Sequence, residues 1–453
     1  MEKESILGQY AKYTSLNVIG MIGLSCYILA DTFFISKGLG ANGLAALNLA
    51  IPVYNFINGT GLMMGMGGAT RYSILKGQNE EEKANRYFTT CVKSTILIAL
   101  LFSLAGIFLS RFITTLLGAN EQVFDMTNTY LKVILIFAPM FMMNNVLLCF
   151  MRNDGNPRLA MIAMLTGSFS NIILDYIFIF PFGMGIFGAV LATGFAPIIS
   201  MGILSTSILR GKNSFRLTKT SGSLKKLRDI MSLGLSSLVS ELSSGIVIIV
   251  FNFIILGLMG NTGVAAYGVI ANISLVVVSM FTGIAQGIQP IVSSRFGVGD
   301  WKNVQKVFRY AFFSVLGVSV VVYACICLFA GDIAMIFNSE NDRVLQETAV
   351  YGLRIYFLAG PFAGFNIITA VYFSSIDRPL PSQVISLMRG FFVILPVTFL
   401  LSALFDMTGV WLSFPAAELL TALFAVFCHL RIRKRLFAEM SVKNTAFAGG
   451  QGK

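Results

Sequence analysis

Twelve apolar runs, each long enough to be a membrane helix, leave this chain few folds to choose from. A hydrocarbon core of ~30 Å needs about 20 apolar residues per helix. Runs of that length fall near residues 14–36, 45–70, 88–110, 128–150, 159–181, 187–209, 229–258, 264–290, 308–330, 347–373, 383–404 and 408–430. With 56% hydrophobic and 12% charged residues, the chain is too apolar and too poor in charge for a soluble globule. The fold class is therefore an all-α polytopic membrane protein with twelve transmembrane helices, since helices satisfy their backbone groups inside lipid. Pro52, Pro139, Pro197, Pro361, Pro396 and Pro415 lie within spans, which lipid tolerates where neighbours satisfy the freed carbonyls.

Charge sets the orientation. The net charge of +12 is spread between apolar spans and not gathered on one domain, so no nucleic-acid partner is expected. With the N-terminus inside, 27 of the 33 Lys and Arg fall in loops on one side, and only Lys37, Arg111 and Arg343 fall in the opposite loops. This bias predicts both termini in the cytoplasm and a multi-pass protein of the cell membrane. The first span is too long for a signal-peptide core and is expected to remain as an anchor.

The six cysteines, Cys26, Cys91, Cys149, Cys325, Cys327 and Cys428, form no CxxC pair. They read as buried inert thiols, without a disulfide framework or zinc site. No G-x-x-x-x-G-K-[ST] stretch occurs, so ATP is not expected as a fuel. No cofactor and no enzymatic activity are expected.

An internal repeat divides the chain. Residues 40–46, GANGLAA, match 260–266, GNTGVAA, at an offset of 220. At an offset of 222, Lys132 matches Arg354, Pro139 matches Pro361, Asn144 matches Asn366 and Pro157 matches Pro379. Six spans return a chain to its starting side, so the halves are parallel repeats. The expected plan is a cytoplasmic tail 1–13, an N-lobe 14–209, a basic cytoplasmic linker 210–228, a C-lobe 229–430 and a cytoplasmic tail 431–453. Two packed halves around a cleft are the plan of a rocking transporter, which an ion gradient must drive if transport is uphill.

Four carboxylates lie within the interiors of spans: Asp31, Asp175, Glu241 and Glu418. Charges at such depth mark ion or substrate paths, or else hydrogen-bond a neighbour and specify packing. Asp31 and Asp175 sit a few residues from the outer ends of spans 1 and 5, and at ~1.5 Å rise per residue both lie within ~10 Å of the outer face. Asn171 and Asp175 share a face at i, i+4, as do Tyr27 and Asp31, and Thr193 enters span 6 at comparable depth. Their oxygens suit a proton or, as metal ligands from Asp31, Asn171, Asp175 and Thr193, a sodium ion. The offsets place Asp31 on Phe251, Asn171 on Val393, Asp175 on Val397 and Thr193 on Pro415, so the repeat does not copy this cluster. Glu241, midway along span 7, either faces the cleft or hydrogen-bonds nearby serines. Glu418 reads as structural, and His429, the only histidine, as interfacial. The 21 Met and 40 Phe would let a pocket suit bulky lipophilic cations.

The stretch ADTFFISKGLGANGLAALNLAIPVYNFINGTGLMMGMGGATRYSILKGQNEEEKAN, followed by FMRNDGNPRLAMIAMLTGSFSNIILDYIFIFPFGMGIFGAVLAT, resembles the multidrug and toxic compound extrusion (MATE) family. The resemblance covers nearly the whole chain, with the second lobe more diverged. It implies twelve helices in two lobes forming a V, and efflux of organic cations in exchange for H+ or Na+. It also implies ion-coupling roles for Asp31, Asn171, Asp175 and Thr193; beside them, Tyr27, Glu241 and Asn366 are candidate residues for substrate or a second proton. Two departures stand out. Helix 10 carries Asn366 where some members carry an acid, and Glu241 is about one turn displaced from their helix 7 glutamate. The alternative on the same superfamily fold is a flippase for lipid-linked or polysaccharide precursors, which would need deep cations, and Arg389 is nearly the only one. A non-transporting membrane receptor or structural protein is the third reading. A monomer in the lipid bilayer, handling small lipophilic cations, is expected.

Overall fold

The computed structural model describes residues 5–220, 223–338 and 342–450, with side chains through Lys434. Its described residues are helical and connecting, without strands. The helices are α1 (Ile6–Gly77), α2 (Glu81–Phe108), α3 (Ser110–Leu116), α4 (Phe124–Ile136), α5 (Ala138–Asn153), α6 (Pro157–Ile179) and α7 (Gly185–Leu209). There follow α8 (Leu224–Gly297), α9 (Trp301–Phe337), α10 (Arg343–Tyr356), α11 (Gly360–Ser375), α12 (Pro379–Leu387) and α13 (Ile394–Gly450). The first helix begins at Ile6, inside the stretch expected to be a tail.

The 72 residues of α1, if straight, would run ~108 Å at ~1.5 Å per residue, more than three hydrocarbon cores. The chain instead reverses at Gly40, with φ 66° and ψ −158°, a backbone conformation open in practice only to glycine. The hydroxyls of Tyr27 and Tyr54, at matching distances either side of the turn, meet at 3.0 Å. Gly260 reverses α8 in the same way, with φ 65° and ψ −154°, and the rings of Phe251 and Tyr267 stack across it at 5.3 Å. The repeated GANGLAA and GNTGVAA segments are thus one turn built twice. A third reversal, at Phe405 and Asp406, divides α13.

Among the described residues, nine apolar segments of membrane length, counting the bent pair α4 and α5 as one, become twelve crossings once these three reversals are included. The pair bends by 48° just before Pro139, and span 10 narrows to a 3-10 turn at Phe357–Ala359 just before Pro361. Each proline lacks the N–H its helix would use there. The matched prolines of the repeat are matched breaks.

Six spans form each lobe. The C-lobe core gathers Phe251, Tyr267, Phe281, Tyr356 and Trp411. The N-lobe has one core toward the basic face, around Met64, Tyr72, Phe88 and Phe150, and another toward the opposite face, around Ile35, Ile57, Leu131 and Met142. Leu97, Leu100, Leu101 and Leu104 on α2 and Val320, Val321 and Leu328 on α9 are exposed, forming the apolar flank a bilayer requires. Cys26, Cys325 and Cys327 are also exposed, so only part of the expected set of buried thiols lies in a core.

The lobes meet through glycines at the basic face. A Cβ on Gly67 would stand 1.9 Å from the Ile230 carbonyl oxygen, and one on Gly234 would stand 1.8 Å from that of Met63. Gly77 approaches Ser294 and Gly297 approaches Ile74 in the same mutual fashion. Moving away from that face, the inter-lobe hydrogen bonds among the described residues end at Ser25–Ser279, 2.6 Å, and Asn58–Glu241, 3.2 Å. Beyond them the lobes diverge, giving the V. The connection between lobes is strapped down: Phe215 is buried and packs 4.8 Å from the ring of Phe88, while the Ser214 N–H donates to Asp154 at 2.6 Å.

Candidate functional site

Asp31 lies one helical turn after Tyr27 on the first limb of α1, and both face inward at 7% exposure. On α6 the same i, i+4 spacing brings Asn171 and Asp175 together, both fully buried. The Asp31 and Asp175 carboxyl groups face one another within hydrogen-bonding reach. With the Asn171 amide turned over, which satisfies both of its ends, its nitrogen donates to Asp175 Oδ2 at 3.1 Å and its oxygen accepts from the Thr193 backbone N–H at 3.2 Å. Thr193, on α7, gives its own hydroxyl proton to the Ala189 carbonyl at 3.1 Å. Four side chains, Asp31, Asn171, Asp175 and Thr193, from three helices, meet at one place.

Pro197 stands four residues after Thr193 in the interior of α7. It has no N–H for the Thr193 carbonyl, so that oxygen is left without its helical donor beside the cluster. The hydroxyl of Tyr130, on α4, reaches Thr193, and Tyr54 closes the side next to Tyr27. Spacing alone did not mark Tyr54 or Tyr130, since aromatic residues near a membrane face are ordinary. Asp31 Oδ1 and Asp175 Oδ1 are buried and have no hydrogen-bond partner among the described residues. A buried acceptor without a donor costs about 1 to 3 kcal/mol, more when charged. The donor set is all oxygen, with two carboxylates, which suits a proton or a hard cation such as Na+.

The second lobe has nothing comparable at the matching positions. Phe251, at the place of Asp31, stacks on Tyr267, which in turn lies 6.3 Å from Trp411. An aromatic pile fills the space that oxygens line in the first lobe.

Glu241 and Asn366 are not brought to the Asp31 cluster. Glu241, on the first limb of α8, accepts from Asn58 Nδ2 at 3.2 Å, and Asn145 Nδ2 donates to Asn58 Oδ1 at 2.7 Å. Its side-chain partner is therefore an amide of the opposite lobe and not the flanking serines, of which Ser244 donates only to the Glu241 backbone carbonyl. This bridge lies at the floor of the V. Asn366 is buried inside the C-lobe, where it donates to Glu418 Oε2 at 2.7 Å. Arg389 holds the same carboxylate from Nε and Nη2. It projects from a single π-helical turn, Met388–Phe392, an insertion that re-aims side chains. His429 stacks on Phe308 at 4.7 Å near the basic end of the C-lobe.

The basic face is tied by ion pairs. Arg71, at the end of α1, contacts Asp229 at 2.7 Å and Asp377 at 2.8 Å, both from the opposite lobe. Lys76 meets Asp154 at 2.7 Å. Asp377 holds a left-handed φ of 59° in the turn that presents it.

Known proteins are similar to this chain along nearly its full length. Multidrug export protein MepA of Staphylococcus saprophyticus subsp. saprophyticus is 24% identical over 440 residues, 97% of this chain and 96% of that protein. MepA of Staphylococcus aureus (strain MRSA252) is 25% identical over 445 residues, 97% of each. Among solved structures, a MATE protein in complex with MaL6 superposes with a TM-score of 0.89 at 24% identity, over 96% of this chain and 97% of its own. The outward-facing conformation of a multidrug resistance MATE family transporter of the MOP superfamily gives a TM-score of 0.87 at 24% identity, over 97% of this chain and 98% of its own. These structures share the fold, with all helices and two lobes. The MatE family matches residues 18–177 and 237–422, one stretch in each lobe, and the chain belongs to the MatE family.

Proposed function

We propose that this protein is a secondary active exporter of lipophilic organic cations, driven by exchange for H+ or Na+ taken up at Asp31 and Asp175. The observation that carries the reading is the facing pair of buried carboxylates, each with one oxygen lacking a partner among the described residues. Asn171 and Thr193 orient the pair, and Tyr27, Tyr54 and Tyr130 wall it from lipid. The relatives named multidrug export proteins support the same class of cargo. The basic face is taken as cytoplasmic, following the Lys and Arg bias, so the V opens outward.

Coupling requires that ion and cargo bind the two states of the protein with different affinity. Taking up a cation at the pair removes the repulsion between two close carboxylates and lets α1 and α6 approach. Their packing then reshapes the cleft wall formed by the first limb of α1. Glu241, at the cleft floor between the lobes, is placed to attract a cationic cargo. The flippase reading loses support because Arg389, the deep cation it would use for a pyrophosphate, is already committed to Glu418.

The test is ethidium efflux from energised cells that carry Asp31→Asn or Asp175→Asn at expression equal to the parent. Efflux is expected to fall to the level of cells without the transporter. Undiminished efflux in both variants would remove the proposed role of the pair.

A further inference from the structure

Between the first limb of α1 and the second limb of α8, the seal at the basic face is made of backbone. A Cβ on Gly283 would stand 2.6 Å from the Val18 Cα, and one on Gly287 would stand 2.7 Å from the Thr14 Cα. Into this seam α5 inserts Arg152, at 3% exposure. Its Nη1 donates to Asn17 Oδ1 at 2.8 Å and to Gln286 Oε1 of the opposite lobe, and its Nη2 points at Cys149 Sγ, 3.1 Å away. All three partners are uncharged. The neighbouring cations at this face are paired: Arg71 with Asp229 and Asp377, Lys76 with Asp154, and Arg295 with Asp300. They are also more exposed, with side chains at 17%, 33% and 32%. The most buried cation of this set is the one without an acid.

A guanidinium buried without a carboxylate is unfavourable compared with a neutral side chain of similar shape. Packing and hydrogen bonding to Asn17 and Gln286 therefore do not account for the charge. The surroundings do. Asn153, Gln289, Thr70 and Ser293 form a second hydrogen-bonded string beside Arg152, so the seam between the lobes is threaded with polar groups. Such a thread invites water and relays protons. A fixed positive charge in a narrow low-dielectric passage repels other cations, as the arginine of water-selective pores does.

We propose that Arg152 is the electrostatic plug of the closed seam, a fixed cation kept without a counter-ion so that H+ and Na+ do not pass between the lobes while the cleft is open on the other side. This rests on the reading of the chain as a cation-coupled exporter, for which such a leak would dissipate the driving gradient. Arg152 is a positioning residue of the seal and touches neither cargo nor coupling ion.

The test uses the full chain reconstituted in liposomes without drug, under an imposed pH or Na+ gradient and membrane potential. Trapped pyranine reads passive H+ entry and labelled Na+ reads sodium entry. Arg152→Lys should leak no more than the parent. Arg152→Gln removes the charge, and Gln286→Glu keeps the bonded oxygen in place but neutralises the charge beside it. Both should raise cation leak about tenfold, the order expected for one unit charge acting within ~10 Å at an effective dielectric constant of ~20. A purely structural role predicts that Gln286→Glu, which strengthens the contact, leaks no more than the parent; that result overturns the proposal even if Arg152→Gln leaks or fails to fold. Drug efflux measured in parallel with parent vesicles separates the readings. If the parent exports nothing, the exporter reading fails while the leak comparison is still decided by the same two variants.

Discussion

Arg389 grips Glu418 through Nε and Nη2, at 3.0 and 2.8 Å, deep in a lobe whose matching half carries no such pair. The side chains are 15% and 3% exposed. Removing one partner of a buried ion pair strands the other charge, whereas replacing both by apolar groups is often neutral. Arg389→Met or Glu418→Gln alone is therefore expected to lower stability by about 3 to 5 kcal/mol, and the double variant Arg389→Met/Glu418→Leu to recover most of it. Unfolding of the detergent-solubilised protein measures this directly. Single variants as stable as the parent would show that the pair contributes only packing.

The pair of Asp31 and Asp175 makes the opposite prediction, because it lacks a resident cation among the described residues. If Na+ is the coupling ion, it should stabilise the parent by about 2.7 kcal/mol at a hundredfold excess over its dissociation constant. Choline should not. Asp31→Asn should abolish the sodium-dependent shift, and Asp31→Asn/Asp175→Asn should transport no worse than either single variant, since groups acting as a unit do not add. A thermal midpoint insensitive to Na+ in the parent leaves the proton as the coupling ion.

The twelve spans and the repeat were legible in the sequence because apolar length and Gly–Pro punctuation are local properties. Gly40 and Gly260 announce their turns, and Pro139 and Pro361 their helix breaks. The meeting of Asp31, Asn171, Asp175 and Thr193 was legible from depth and i, i+4 spacing, because all are short polar groups in apolar helices. What lay outside reach was partnership between distant spans. Nothing local says that Glu241 binds Asn58, that Glu418 takes Arg389, or that Arg152 turns back into the lobe seam. Arg152 sits at a span end, where a cation ordinarily reaches toward headgroups, and only the packing shows that it turns inward; Arg389 lies deeper, and what the sequence hides there is its partner. Tyr54 and Tyr130 were hidden for the same reason, as aromatic residues of an interface.

Glu241 bridges the lobes at the floor of the cleft through Asn58. Glu241→Gln preserves an oxygen for that bond but removes the charge that we propose attracts cargo. At close range and intermediate dielectric a unit charge contributes on the order of 1 to 2 kcal/mol to binding a cation. The KM for a monocationic dye should therefore rise about tenfold, with little change for a neutral substrate and none in stability. An equal loss for charged and neutral substrates would mean that Glu241 serves the closing of the lobes and not cargo recognition.

Gly40 and Gly260 share one conformation, with φ of 66° and 65°, and neither has a neighbour within 4 Å of an added Cβ. Substitution by alanine is thus a test of backbone strain alone. Gly40→Ala and Gly260→Ala should each destabilise by about 1 to 3 kcal/mol, and by similar amounts. Gly202 is the control: it lies within the helix α7 and also has open space about it, so Gly202→Ala should be neutral or stabilising by about 0.5 to 1 kcal/mol. Because the two lobes reverse their first spans at these points, both losses should appear as earlier thermal unfolding while Gly202→Ala does not. If Gly40→Ala and Gly260→Ala unfold at the parent's temperature, the reversals do not depend on the positive φ, and another residue's packing must hold the turns.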